Sequence, residues 1–170
     1  MAPRLPLLGL ALFAGLSTLG CDLEDDELRA LDLEVLDERF ACGDVTVVAA
    51  SPDGSEALFL GIEDGLAAEL AAHGGVVEAH YTLPDDRLTL RWVTGSNVYQ
   101  GQCGRSSDRP WHIDDRHEGA EGELTIRLEP GVQGEAAITA QFDYVLFVDT
   151  EEDEPSYELM PTRLEAVMGS

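Results

Sequence analysis

The chain has 170 residues, and its 34 acidic residues against 10 basic ones give a formal charge of −24 at neutral pH. That length makes one domain with a real core. The charge excludes nucleic-acid binding through a phosphate-neutralising patch and sets the surface against anionic lipid headgroups. Every basic residue is an arginine. The acidic surface keeps a protein soluble and can attract cations or basic partners.

The first stretch, MAPRLPLLGLALFAGLSTLGC, carries one basic side chain, Arg4, and no acidic one before Cys21. An uncharged apolar run, Leu7–Leu16, is followed by Ser17, Thr18, Leu19 and Gly20. A basic start, a short apolar run and a small residue before the cut are the parts of a secretory signal. The run is short for a membrane helix, which needs about 20 apolar residues. Thr18-Leu19-Gly20-Cys21 resembles the lipobox of bacterial lipoproteins, with Thr18 and Leu19 where that class more often has leucine and a small residue. The resemblance covers these first residues alone. It implies a signal peptide over 1–20, cleavage before Cys21, a diacylated Cys21 thiol and an anchor in the cell envelope, with inner and outer membrane both open. Two or more acyl chains hold a protein stably where one does not.

Residues 22–28, DLEDDEL, are a run of carboxylates that repel one another. Residues 21–40 are therefore read as a lipid-anchored acidic tether and 41–170 as the folded domain. The segment 29–40 fits a helical face through Leu28, Leu31 and Val35 and a strand through Leu31, Leu33 and Val35; the extended reading is preferred.

From Gly43 onward the apolar residues recur every second position. Val45, Val47 and Ala49 share one side of 44–50. Ser51-Pro52-Asp53-Gly54 is a turn, and Leu58, Leu60 and Ile62 continue the pattern, which makes a hairpin. Residues 64–73 are alanine-rich with Leu66 and Leu70 four apart and Gly74-Gly75 behind them, so a short helix is predicted. Val77, Ala79, Tyr81 and Leu83 precede a turn at Pro84-Asp85-Asp86, after which Leu88, Leu90 and Trp92 alternate. Leu124, Ile126 and Leu128 mark a further strand. Ile138, Ala140, Phe142, Tyr144, Leu146 and Val148 are assigned to one face of a long strand, and Leu164, Ala166 and Met168 to the last. About seven strands and one helix predict an all-β fold, an antiparallel β-sandwich. The segments 104–122 and 150–158 lack periodicity and are read as loops, where function tends to sit.

With Cys21 assigned to lipid, Cys42 and Cys103 remain as an even pair, which in an exported domain predicts a disulfide. The densest chemistry is Trp111-His112-Ile113-Asp114-Asp115-Arg116-His117-Glu118. His112, Asp114, Asp115 and His117 are weak zinc-ligand candidates, because no known zinc spacing is present. Asp114 and Asp115 with Glu151, Glu152, Asp153 and Glu154 are candidates for calcium. Trp111, Glu152 and Asp153 are candidate ligand contacts. His80 reads as a surface residue and Trp92 as core. No G-x-S-x-G and no phosphate loop occurs. The reading is a non-enzymatic, lipid-anchored interaction or structural protein with no required cofactor, a membrane partner through Cys21 and an envelope protein as a further partner. A calcium- or carbohydrate-binding module on the two loops is the alternative, and a carboxylate-dependent hydrolase the third.

Overall fold

A computed structural model describes residues 28–100, 102–104, 110–151 and 155–169 of the chain. In chain order the strands are β1 (Arg29–Ala30), β2 (Glu38–Cys42), β3 (Thr46–Ala50), β4 (Glu56–Ile62), β5 (Val77–Leu83), β6 (Leu88–Ser96), β7 (His112–Pro130), β8 (Ala136–Asp149), β9 (Pro155–Leu159) and β10 (Thr162–Met168), with one helix, α1 (Leu66–His73), between β4 and β5. Cys21, Glu152, Asp153 and Glu154 lie outside the described residues, as do positions 1–20.

The fold is all-β with a single helix, as the alternation predicts, but it is not two sheets face to face. The strands form one sheet in the order β1-β9-β8-β10-β2-β3-β4-β6-β7-β5, and β8 also pairs with β7. That extra pairing closes seven strands into a barrel, leaving β1, β9 and β5 as extensions. The long hairpin β7–β8 makes this possible. The first part of β7 pairs with β6 and the later part with β5, while β8 runs along its opposite side. A strand long enough to serve two neighbours in succession curls a sheet onto itself, and barrel closure removes its edges. Two pairings are parallel, β10 with β2 and β1 with β9, so the sheet is not wholly antiparallel.

Bulges explain one departure from the predicted faces. Asp143 is unpaired where the partner of Glu123 is Tyr144 and that of Leu124 is Phe142. An extra residue inverts the alternation beyond it. Phe142 is buried as expected, but past the bulge Val145 and Phe147 are the buried residues, and Tyr144, Leu146 and Val148 turn partly outward.

The segment read as a loop over 104–122 is strand from His112 onward, and the acidic segment 150–158 becomes β9 from Pro155. Residues 29–40, read as tether, belong to the packed domain. Leu31, Leu33 and Leu36 join the main core, and the Leu31 amide donates to the Glu158 carbonyl at 2.8 Å. The Arg39 guanidinium donates to the Leu36 and Leu33 carbonyls and so fastens the turn between them.

A second, smaller core lies on the outside of the barrel. Phe40, Val48, Ala50, Ala57, Val93 and Val98 are buried there, with Tyr99 and Cys103 packed against them. Val98, Tyr99 and Cys103 thus cover the outer face of β2, β3, β4 and β6. This is why β3 (TVVAA) is apolar at successive positions: both of its faces are covered. Phe40 and Tyr99 meet edge to face at 6.1 Å. The predicted disulfide Cys42–Cys103 is present, with its Cα atoms 5.4 Å apart, and it pins the cover to the end of β2. The predicted β3–β4 turn holds the other end. The Gly54 carbonyl accepts from the Val98 amide, and the Asp53 carboxylate accepts from the Ser55 amide and hydroxyl and from the Ser51 hydroxyl. Those donors, the Ser55 hydroxyl foremost, hold the Asp53 carboxyl down at about 2.

Candidate binding cleft

The cover does not reach across the whole outer face. Where it ends, a cleft of about 330 Å³ opens between Val98, Gln100, Gln102 and Trp111 on one side and strands β3, β4, β6 and β7 on the other. Strand register sets its floor. Thr46, Gly61 and Thr89 form one cross-strand row, and Phe59 and Arg91 form the next. Gly61 leaves that floor open, because a Cβ there would meet only the Thr89 side chain, at 3.8 Å. Gln100 and Gln102 stand on one wall. Trp111 stands at the mouth with 61% of its surface exposed. The volume is within the range of small-ligand pockets.

Charge is unevenly placed around this cleft. The guanidiniums of Arg91 and Arg116 both line it. Arg91 Nε donates to Glu118 at 3.0 Å, which leaves its terminal amino groups free of that bond. Arg116 pairs across the ladder with Val93 and makes no ion pair among the described residues. The Gln100 amide oxygen is buried without a hydrogen-bond partner among them. Leaving such an oxygen unpaired costs about 1–3 kcal/mol.

The candidates from the sequence fall into three places. Trp111 is at the cleft mouth. His112, Asp114 and Asp115 are exposed at the start of strand β7, with His112 Nε2 3.3 Å from Asp114. Asp114 and Asp115 share a polar recess with Asp149 and Glu151. The Thr94 hydroxyl donates to Asp115 there, and the Glu151 amide donates to Asp149. No three His, Cys, Asp or Glu side chains among the described residues are grouped to hold a metal ion.

His117 is the clear correction. It was read as a loop residue beside His112, but it is 5% exposed and points into the barrel end. Asp114 is an extra residue where Thr94 pairs with Asp115 and Gly95 with Ile113, so the side-chain alternation is reset between the two histidines, and His117 falls opposite the buried Trp92. His117 Nδ1 shares a 2.8 Å hydrogen bond with the Ser156 hydroxyl and lies 3.6 Å from Asp149. Its ring meets Tyr157 edge-on at 4.6 Å. Burial pushes its pKa below the ordinary value near 6.5, against the pull of Asp149 and Asp115. Serine, histidine and aspartate are therefore together, but not as a catalytic relay. A relay places the two oxygens on different ring nitrogens. Here both approach Nδ1, while Nε2 is buried and without a hydrogen-bond partner among the described residues, as is Nε1 of its cross-strand partner Trp92. The cluster ties β9 to β7 and β8.

Sequence reasoning missed Phe59, Arg91, Gln100 and Arg116 as one site. The available signal was a pair of outward-facing arginines on strands in a chain otherwise dominated by carboxylates. Comparison of the chain with protein-family models, with curated protein sequences and with solved structures finds no match.

Proposed function

We propose that the protein is an exported bacterial lipoprotein, anchored through Cys21, whose barrel is a non-enzymatic contact domain working through the Trp111 cleft. The Cys42–Cys103 disulfide carries this reading. Structural disulfides belong to oxidising compartments outside the cytosol. The bridge also consumes both other cysteines of the chain, so the cysteine at the end of the apolar leader is the one left for lipid. The exposed indole of Trp111 at the mouth of a partly apolar cleft supports a contact role.

The test is expression of the full chain in a bacterial host, followed by membrane fractionation and mass measurement. The expected product starts at Cys21 with a diacylglyceryl adduct and stays with the membrane, and Cys21→Ser abolishes the adduct. A wild-type product cleaved elsewhere, or free of acyl chains, overturns the reading.

A further inference from the structure

We propose that the cleft takes the terminal ring of an acidic oligosaccharide: a sugar ring with one carboxylate, on an otherwise neutral chain. The inference rests on the contact-domain reading and names its ligand. Three features converge on it. The Arg116 guanidinium, which has no ion pair among the described residues, and the terminal amino groups of Arg91, whose Nε is held by Glu118, offer a carboxylate several donors in the planar fork that it fits best. The exposed face of Trp111 offers a π surface to the C–H side of a sugar ring. Gln100, whose buried amide oxygen has no partner among the described residues, gains a hydrogen bond by turning toward a ring hydroxyl.

The rest of the chain narrows the class. Its formal charge of −24 repels any ligand that carries many negative groups. Nucleic acids and dense polyuronates are thereby disfavoured, and a single carboxylate held between two arginines is not. A neutral sugar would leave the Arg116 guanidinium with no ion pair among the described residues. A bare small carboxylate would leave Trp111 and Gln100 without use.

The test uses the full chain in detergent and follows tryptophan emission. The chain has two tryptophans, and Trp92 is buried at 2% exposure, so a ligand in the cleft reports through Trp111. The probes are sialyllactose and a glucuronyl-terminated trisaccharide, their methyl esters, lactose and acetate. The acids are expected to shift the emission and the esters to bind about tenfold more weakly, the size of one lost charge-assisted hydrogen bond. Arg116→Gln is expected to weaken the acids by a similar factor and to leave the esters unchanged, which a double-mutant cycle isolates. Trp111→Phe should remove the signal, so binding in that variant is followed by calorimetry. Acids and esters of equal affinity, acids with no effect, or acid affinity untouched by Arg116→Gln would each overturn the proposal. Failure of acylation at Cys21 strikes the anchoring reading and leaves this titration intact, whereas silence toward every saccharide strikes the ligand class and leaves the acylation test intact.

Discussion

Two residues in the β7–β8 hairpin show how local geometry constrains the barrel. Gly122 has φ +143°, and a Cβ there would stand 2.1 Å from the Tyr144 carbonyl oxygen. Any side chain forces the two strands apart next to a bulge. Gly122→Ala is expected to destabilise the fold by about 3 kcal/mol or more, read as a lowered denaturation midpoint; an unchanged midpoint would mean that the strands yield freely there. His117 gives a pH dependence with a definite sign. Its folded pKa lies below the ordinary value near 6.5, so between the two the unfolded chain binds the extra proton. Stability is complete above the unfolded value and declines as pH falls through it toward the folded one. The groups around the ring are Asp149, Asp115, Ser156, Tyr157 and Trp92. Melting temperature is expected to drop from about pH 8 to about pH 5.5 in the wild type, and less steeply in His117→Gln. Equal slopes would assign the effect to other groups. His117 also shows why the site was only partly legible. The inward positions near the start of β7 are His117 and Gly119, and neither is apolar, so period-two hydrophobicity could not show a strand. Gly119 is small because a Cβ there would press on Leu83 and Leu90 at 3.1–3.3 Å.

The elements that sequence did reveal are those with one wet face. β5, β10 and the second half of β7 alternate cleanly, and α1 ends at Gly74, whose amide donates to the Leu70 carbonyl at 2.8 Å. The β3–β4 hairpin is legible from its turn. What escaped were features that need partners: the bulge at Asp143, the fit of one strand between two neighbours, and the outer core under Val98, Tyr99 and Cys103. The disulfide pairing was legible because two cysteines allow one bridge, but its task was not. It spans a separation of 61 residues, for which the chain-entropy model gives about 4 kcal/mol. Cys42→Ser with Cys103→Ser is therefore expected to lower unfolding free energy by about that amount and to raise hydrogen exchange in the cover first, at the amides of Val98 and Gln102. Uniform exchange across the barrel and cover would show that the bridge supports the whole fold instead.

At the scale of the molecule, the barrel owes its closure to segments far apart in sequence. Residues 29–36 belong to it as firmly as the strands do, since Leu36 is fully buried. Leu36→Ala is expected to cost about 2–5 kcal/mol by chemical denaturation; a loss well below that range would return this segment to the tether. Under the anchoring proposed above, placing residue 29 inside the fold has a geometric result. Arg29 lies eight positions after Cys21, and eight chain steps span at most about 28 Å. A leash that short lets the barrel turn only within a shallow hemisphere above the lipid. The β1–β9 corner, where the Arg29 guanidinium sits 5.6 Å from the centre of the Tyr157 ring, is then the part that stays lowest. At physiological ionic strength the acidic surface feels the headgroups only within about 8 Å, so most of that hemisphere is electrostatically quiet. Lengthening the leash would widen the zone that one molecule can sweep without altering a single contact in its cleft.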